Sequence, residues 1–378
     1  MKIIITPDSF KGSLTALEAA EAMAAGVRRA MPEAEIVSIP LADGGEGTVD
    51  AWLRACGGHL ETRMVTGPLG DPIAASFGVL ADGRTAVVET AAASGLTLVP
   101  ASLRNPLNTT TYGTGELIHH AKDSGVKRLI VGLGGSATND GGAGALQALG
   151  TVFRDASGEV IPTPITGGRV EEIRSIDGSG LPKSTGLSVV IASDVDNPLT
   201  GPNGASMIFG RQKGATLEMV ARLDAALARY GDLLAEWFGV DVVAAPGSGA
   251  AGGLGAAMMA LFKAPARSGI DLLLDAAGFD AVVAEADLVL TGEGSIDRQT
   301  LSGKAVMGVV RRCRSAGRAK VIAIGGIVDA GAAEALKAAG VVYIAPASPA
   351  SMAVDEAMAR AAELVEEAAF KACRRAAG

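Results

Sequence analysis

Short runs of apolar residues alternate along the chain with longer segments in which small and apolar residues recur at helical spacing. Residues 2–5 are predicted to form a strand whose apolar run is Ile3 to Ile5, and the segment after it predicts a helix that Pro32 ends. Thr15, with Glu18 three residues later, has the pattern of a capping box at the start of this helix. Because apolar runs without alternation are typical of strands covered on both faces, the pattern indicates βα units of a parallel sheet.

Similar units fill the C-terminal part of the sequence. Apolar strands are predicted at residues 287–290, 320–324 and 341–344, and Asp329 is a suitable N-cap for the helix after the second of them. With two strands near the N-terminus they make five βα units, enough for one doubly wound parallel sheet of flavodoxin-like order, 2-1-3-4-5. The predicted fold class is therefore α/β.

The middle of the chain has a different pattern. Turn signals such as Gly67-Pro68 and Asp82-Gly83 predict antiparallel strands between residues 62 and 89, and further strand–loop–helix units follow. We therefore predict two domains. A discontinuous flavodoxin-like domain comprises residues 1–60 and 276–378, and a second α/β domain, residues 61–275, is inserted into it.

Composition narrows the class of protein. The chain has 378 residues, of which 48% are hydrophobic and 20% charged, as in folded proteins large enough for two domains. A net charge of −8 and an aromatic content of 3% argue against a nucleic-acid partner, which needs a basic or base-stacking surface. No apolar run approaches the roughly 20 residues of a membrane span, so no membrane partner is expected. Three widely spaced cysteines match neither a disulfide framework nor a zinc site, and together with the missing signal-peptide core they predict a cytoplasmic protein.

A glycine-rich stretch, GLGGSATNDGGAG at residues 132–144, lies between an apolar run and a helical pattern. Glycine in the first turns of a helix costs about 1 kcal/mol relative to alanine, so its presence needs a reason. One reason is that phosphate approaches backbone N–H groups at a helix N-terminus, and the other is close packing or a backbone with positive φ. On the first interpretation the candidate nucleotide-binding residues are Gly134, Gly135, Ser136, Thr138, Asn139, Asp140 and Gly141.

Two polar loops are predicted at the switch point of the first sheet, where ligands bind in open parallel sheets. These are PDSFKGS at residues 7–13 and TGEGSID at residues 291–297, and Lys304 follows the second. Carboxylates, hydroxyl groups and cations at that place suit a charged substrate, although helix capping and solvated charges would explain the same residues. The candidates are Asp8, Ser9, Lys11, Glu293, Asp297 and Lys304.

A third polar group, SDVDNPL at residues 193–199, ends a predicted strand. Asp194 and Asp196 suit a metal site or a general base, and an Asx-turn is the alternative. The motif FGRQKGA at residues 209–215 follows and contains Arg211 and Lys213. These cations are either phosphate partners or solvated charges.

Other nucleotide motifs are weak or absent. Residues 247–252 match GxGxxG, but Pro246 interrupts the strand that a dinucleotide site requires before it. The sequence contains no GxxxxGK[ST] motif, no protein-kinase HRD or DFG motif and no metal-like spacing of its three histidines. An NAD-dependent oxidoreductase therefore stays only as a lesser alternative.

Seven blocks together resemble the type 1 glycerate kinases, over the whole chain and in order. The blocks are PDSFKGSL, ADGGEGT, GLGGSATNDGG, SDVDNPLTGPNGA, FGRQKGA, GAAGGLG and TGEGSIDRQTLSGK. One departure is Arg211, where proline is expected more often. The resemblance implies ATP-dependent phosphorylation of glycerate at the 2-hydroxyl, giving 2-phosphoglycerate and ADP. It also implies a flavodoxin-like domain with a second α/β domain inserted.

The chemistry of phosphoryl transfer suggests roles for the candidates, because it depends on positioning and on neutralising charged oxygens. We expect residues 134–142 to bind the nucleotide, and Asp194, with Asp196, to bind Mg²⁺; Asp194 could instead contact the substrate hydroxyl. Lys11 and Lys304 would hold the glycerate carboxylate or the transferred phosphoryl group. The remaining assignments are Glu293 and Asp297 as alternative bases or metal ligands, and Asp8, Ser9 and Lys213 beside Lys11 as substrate-binding residues.

Several functions stay open at this point. They include a glycerate 3-kinase, a kinase for a related small hydroxy acid, and a nucleotide-binding regulator without turnover. The sequence leaves the oligomeric state undecided, with a homo-oligomer among the options.

Overall fold

The computed structural model describes residues 1–181, 186–302, 305–316, 319–349 and 351–377. The chain divides into two compact units. The first unit comprises Met1–Asp43, Asp50–Cys56 and Ile270–Gly378, and the second comprises Gly44–Val49 and Gly57–Gly269. The domain limits predicted from the sequence were 60/61 and 275/276, so the structure groups residues 44–49, 57–60 and 270–275 differently.

The strands and helices follow in chain order. The strands are β1 (Lys2–Pro7), β2 (Glu35–Ser38), β3 (Gly58–Thr66), β4 (Pro72–Leu80), β5 (Thr85–Glu89), β6 (Arg128–Gly132), β7 (Val152–Arg154), β8 (Ser175–Asp177), β9 (Ser188–Ala192), β10 (Ala266–Arg267), β11 (Leu288–Ile296), β12 (Lys320–Val328) and β13 (Val341–Pro346). The helices are α1 (Ala16–Ala30), α2 (Thr48–Cys56), α3 (Thr90–Ser94), α4 (Tyr112–Asp123), α5 (Ala143–Ala148), α6 (Ala205–Phe209), α7 (Leu217–Phe238), α8 (Ala250–Phe262), α9 (Gly269–Ala276), α10 (Phe279–Ala284), α11 (Ala305–Ala316), α12 (Ala330–Ala338), α13 (Val354–Ala359) and α14 (Ala361–Ala377). None of the helices in the described ranges is both long and apolar enough to cross a bilayer.

The first unit contains a parallel sheet of five strands in the order β13-β12-β11-β1-β2. Numbered within the unit this is the order 2-1-3-4-5, so the predicted flavodoxin-like topology is confirmed. The apolar run of β1 is fully buried, as a central strand requires. The capping box of α1 is present, with the Glu18 amide bonded to Thr15 Oγ1 at 3.2 Å and the Thr15 amide bonded to Glu18 Oε2 at 2.8 Å.

One loop prediction in this unit is wrong. Residues 291–297 were expected to form a loop, but β11 continues to Ile296 and pairs with β12 as far as Val328. The glycines do not end the strand because the neighbouring strand is extended too, so that Glu293 pairs with Gly325. Long-range pairing therefore overrides the local turn signal.

The second unit contains a sheet of six strands in the order β10-β9-β6-β5-β4-β3. β5, β6, β9 and β10 are parallel, whereas β3 and β4 form the expected antiparallel hairpin. Glu89, Gly132 and Ala192 are in register at the carboxyl ends of β5, β6 and β9. The loops that follow these strands therefore leave from one edge of the sheet.

Candidate active site

In the first unit, three carboxylates interact: Asp8 after β1 with Asp43 in the segment after β2 and with Glu293 within β11. Asp8 comes directly after β1, and its amide donates to the Gly292 carbonyl oxygen at 2.8 Å, next to Glu293 in β11. Burial raises the pKa of Asp8 to about 7, and repulsion from Asp43 and Glu293 adds to this shift. The Ser9 amide, which donates to Asp8 Oδ1 at 2.7 Å, lowers the pKa of Asp8. Asp8 can therefore exchange a proton at neutral pH.

The two loops expected at this switch point do lie together. A Cβ placed on Gly294 would lie 3.1 Å from the Lys11 amide nitrogen, so the two segments are in close contact there. Lys11 is exposed, and its charge lowers the pKa of Asp8. Asp297 has a local role, because its carboxylate accepts from the Gln299 amide at 2.7 Å and from Ser295 Oγ at 3.2 Å. Lys304 lies outside the described residues.

In the second unit, the glycine-rich stretch divides into an accessible part and a buried part. Gly134 and Gly135 are at least partly exposed, and Gly135 has a φ of 73°. Gly141 and Gly142 are buried with positive φ, and a Cβ on them would lie 2.7 Å from the Tyr230 ring and 2.5 Å from Ala257 Cβ. Packing and backbone conformation therefore account for the second pair of glycines. Gly134 is also packed closely, since a Cβ on it would lie 2.5 Å from Gly45 Cα, so Gly135 is the glycine of the first pair that is most open to a ligand.

Three predicted nucleotide-binding residues, Thr138, Asn139 and Asp140, are fully buried. Asp140 accepts hydrogen bonds from the Thr111 amide at 2.7 Å and the Thr111 hydroxyl at 2.8 Å. It also accepts from the amides of Gly142 and Gly144, at 3.1 and 3.3 Å, at the start of α5. Burial raises the pKa of Asp140 and these hydrogen bonds lower it. The Asp140 side chain therefore links Thr111 to the start of α5 and fixes the conformation of the loop.

Asn139 donates from its amide nitrogen to Ser206 Oγ at 2.9 Å. Ser136 is only 6% exposed, yet it adjoins the exposed Gly135. Among the predicted nucleotide-binding residues, the accessible positions are therefore Gly134 and Gly135. Ser136 follows them in the chain and is largely buried.

Lys213 ends a short 3₁₀ turn and is 3% exposed. Its Nζ donates to Ser136 Oγ at 2.9 Å and to the Thr138 carbonyl oxygen at 2.6 Å. Burial lowers the pKa of Lys213 to about 7, whereas the charge of Asp140 raises it. The alternative of a solvated charge is thus wrong for Lys213, although Arg211 in the same turn is exposed.

Asp194 and Asp196 follow β9, at the edge from which the glycine-rich loop also leaves. Asp194 is half-buried and Asp196 is exposed. Within the described part of the chain, no three His, Cys, Asp or Glu side chains come together as a metal site. Mg²⁺ usually takes only one or two protein carboxylates and completes its shell with water and substrate phosphates. Two aspartates of this kind fit such a site.

Sequence reasoning left the motif ADGGEG without a role. In the structure, Gly44 lies against the carboxyl ends of the second sheet: its carbonyl accepts from the Gly134 amide at 2.8 Å. A Cβ on Gly44, whose φ is 97°, would lie 2.3 Å from the Ala192 carbonyl oxygen. Val49, near the start of α2, donates its amide to Glu89 Oε2 at 3.0 Å. The sequence signal that could have indicated a role for this motif was its cluster of glycine and acidic residues after a predicted strand.

The GxGxxG match has a packing explanation. The described residues place no strand immediately before it, as a dinucleotide site would need. A Cβ on Gly252 would lie 2.0 Å from the Thr138 carbonyl oxygen, and one on Gly249 would lie 2.2 Å from the Pro198 carbonyl oxygen. These glycines allow the backbone to approach the two neighbouring loops closely.

Comparison with known proteins shows the family of the chain. Residues 3–377 match the glycerate kinase family. A glycerate kinase of Bacillus subtilis (strain 168) is 48% identical over 370 residues, which cover 98% of this chain and 96% of the relative. A glycerate 2-kinase of Escherichia coli (strain K12) is 50% identical over 310 residues, or 82% and 81% of the two chains. A crystal structure from Salmonella typhimurium LT2, assigned as glycerate kinase 2, superposes with a TM-score of 0.85 at 46% identity and covers 100% of this chain and 98% of its own.

Proposed function

The chain belongs to the glycerate kinase family, and on that premise we propose that it phosphorylates the 2-hydroxyl of glycerate to give 2-phosphoglycerate and ADP. It is a kinase that phosphorylates glycerate with ATP as the phosphate donor. The choice of the 2-hydroxyl rests on the relative named glycerate 2-kinase, which is 50% identical to this chain. The observation that carries the proposed mechanism is the placement of Asp8 beside Asp43 and Glu293.

Asp8 is the residue that we assign as the general base for the glycerate hydroxyl. A general base works best when its pKa lies near the working pH, and the pKa of Asp8 is raised to about 7 by burial and by its carboxylate neighbours. Asp297 is less suited, because Gln299 and Ser295 already bind its oxygens. Lys11, exposed and close enough to act on Asp8, supplies a positive charge for the carboxylate of glycerate.

Gly134, Gly135 and Ser136 are the part of the glycine-rich loop that we assign to the phosphates of ATP. Exposed glycine lets a phosphate approach the backbone closely, because no Cβ stands in the way. Because Ser136 Oγ accepts a hydrogen bond from Lys213, its own O–H group points elsewhere. That O–H group can donate a hydrogen bond to a phosphate oxygen. In this proposal Lys213 binds the loop instead of the substrate.

Mg²⁺ would be held by Asp194, with Asp196 as the second carboxylate. Its contribution when bound is to neutralise negative charge on the β- and γ-phosphates. The half-buried Asp194 lies two residues after the end of β9. The two aspartates match the preference of Mg²⁺ for oxygen ligands.

The test is an ADP-release assay with D-glycerate, L-glycerate and a panel of small hydroxy acids, in which the position of the phosphate is determined by NMR. We expect 2-phosphoglycerate from one glycerate enantiomer. A 3-phosphoglycerate product would contradict the proposed position, and a better rate with another hydroxy acid would contradict the proposed substrate. A nicotinamide absorbance assay run in parallel tests the oxidoreductase alternative.

A further inference from the structure

β3 forms one edge of the six-stranded sheet in the second unit. In the described part of the chain it pairs only with β4, along all nine of its residues, Gly58 to Thr66. Its sequence, GHLETRMVT, contains neither proline nor lysine, two residues that commonly protect an edge strand from pairing with another chain. Leu60 and Met64 are 51% and 64% exposed on the same face of the strand. An edge of this length with exposed apolar side chains is suited to strand addition.

The hydrogen bonds show which backbone groups of β3 point away from β4. The Ala81 amide bonds to the Gly57 carbonyl at 3.1 Å, and the Gly67 amide bonds to the Asp71 carbonyl at 2.7 Å. In an antiparallel pair, the residues that bond to the partner alternate along the strand, so the odd-numbered positions face β4. The even-numbered positions, with Thr62 at the centre, therefore face outward.

Two contacts agree with this assignment. The outward-facing Thr62 carbonyl accepts from its neighbour Arg63 Nη1 at 3.0 Å. The outward-facing Thr66 amide is bonded to Glu116 Oε2 at 2.6 Å. The remaining outward positions are Gly58 at the start of the strand and Leu60, Thr62 and Met64 in its central part.

The charges of β3 are self-complementary about Thr62. If a second copy of β3 pairs antiparallel with Thr62 opposite Thr62, then Glu61 of each copy lies opposite Arg63 of the other. Leu60 then lies opposite Met64, and each of the nine strand positions has a counterpart in the second copy. The hydrogen bonds form at Leu60, Thr62 and Met64, whereas the Thr66 amide keeps its bond to Glu116. Moving the centre by one residue to Glu61 or to Arg63 would put like charges opposite each other, which destabilises a sheet. Charge and strand length therefore select the same register.

We infer that β3 is the interface of a homodimer, in which two copies of the chain join their six-stranded sheets through an antiparallel β3–β3 pair about Thr62. The interface is isologous, so both edges are used up and assembly ends at two copies. The existing Arg63–Glu61 pair, 2.6 Å apart in one strand, becomes part of a network of four alternating charges. The Thr62 carbonyl exchanges its bond to Arg63 for an amide of the second copy.

Sedimentation velocity of the full chain over a range of protein concentrations tests this inference. We expect a reversible monomer–dimer equilibrium. Thr62→Pro removes the central N–H donor and is tolerated by the fold, because that N–H faces outward; it should weaken dimerisation by at least about tenfold. Glu61→Arg places like charges opposite each other and should weaken dimerisation to a similar extent.

The charge-inverted double variant Glu61→Arg, Arg63→Glu restores opposite charges across the two-fold axis and should dimerise to within about threefold of the wild type. Glu363→Arg, which reverses a charge in an exposed ion pair of the first unit, is the matched control and should leave the dimer unchanged. Circular dichroism and turnover verify that each variant is folded. A wild type that stays monomeric, a dimer insensitive to Thr62→Pro, or a double variant as weak as Glu61→Arg would each overturn the inference.

Discussion

The ammonium group of Lys213 donates a hydrogen bond of 2.6 Å to the carbonyl oxygen of Thr138, in the interior of the second unit. The same group donates to Ser136 Oγ, so one cation binds the glycine-rich loop at two points. Burying a charge is costly unless polar groups surround it, and here both hydrogen-bond partners are neutral. Because Lys213 bonds to the loop at two points, the conformation of the loop depends on this residue. The ammonium group of Lys213 also lies next to Ser136, in the segment that we assign to phosphate.

Replacing Lys213 with methionine keeps the length of the side chain and removes both hydrogen bonds. Hydrogen bonds from a charged donor contribute about 1.5–3 kcal/mol, so we expect the dissociation constant for ATP to rise at least about tenfold. Isothermal calorimetry with a non-hydrolysable ATP analogue measures this. Arg211→Met, in the same turn but exposed, is the control and should bind nearly as the wild type does. Equal affinities for both variants would refute the role of Lys213.

The same substitution should change how stability depends on pH. The pKa of Lys213 in the folded protein, about 7, lies below its ordinary value of 10.5, so unfolding takes up a proton between these two pH values. The folded state therefore gains stability as the pH rises from about 7 toward 10.5. Urea titrations at pH 7 and pH 9 should show this gain in the wild type and a smaller one in Lys213→Met. The same gain in both proteins would mean that Lys213 titrates normally.

The two glycine pairs of the loop should respond differently to a side chain. Gly135→Val should weaken ATP binding by calorimetry, because the exposed backbone becomes covered. Gly141→Ala should instead lower the free energy of unfolding by about 1–3 kcal/mol, since its Cβ would lie 2.7 Å from the Tyr230 ring. Urea denaturation of both variants provides the comparison. Valine is strained at the φ of 73° that Gly135 has, so both variants should lose stability and the affinity decides. Unchanged ATP affinity in Gly135→Val would favour a packing role at that position too.

Asp8→Asn should remove the proposed general base while keeping the acceptor for the Ser9 amide. General-base catalysis contributes about 10²–10⁴-fold, so kcat should fall by that factor. In the wild type, kcat/KM should decrease as the pH falls below about 7, because the base must be ionised and its pKa is raised to about 7. A pH–rate profile of both proteins tests this. If Asp8→Asn keeps the acidic limb, another group is the base.

Asp194→Asn should cut turnover by orders of magnitude with the fold intact, and it should raise the Mg²⁺ concentration needed for half-maximal rate. The reason is that an amide oxygen is a weaker ligand for Mg²⁺ than a carboxylate. Asp241→Asn, at an exposed position of the same unit, is the control. Rates measured over a Mg²⁺ titration distinguish the two variants. Near wild-type kcat in Asp194→Asn would remove this residue from the mechanism.

Much of the fold was predictable because its signals are local. Apolar runs predicted the five strands of the first sheet and their order, and turn residues predicted the β3–β4 hairpin. Local chemistry also predicted the Thr15 capping box and the Asp329 cap, whose Oδ1 accepts from the Ala332 amide at 2.9 Å. The extension of β11 beyond Leu290 was missed, because it depends on pairing with β12, which is distant along the chain.

The candidate site was predictable as a set of loops, because the carboxyl ends of parallel strands meet at one edge of a sheet. The chemistry of its members was not. Asp140 and Lys213 are polar in the sequence, yet both are buried, and only tertiary packing decides that one shapes the loop and the other binds it.

By itself, the sequence determined the family, the alternation of strands and helices, and which loops carry acidic, basic and glycine residues. These properties follow from residue type and short-range spacing. Only the tertiary structure decided that burial, together with Asp43 and Glu293, raises the pKa of Asp8, and that residues 138–142 face the interior. Acidity and burial are set by whichever side chains are near in space, and in the case of Asp8 and Glu293 these are separated by most of the chain.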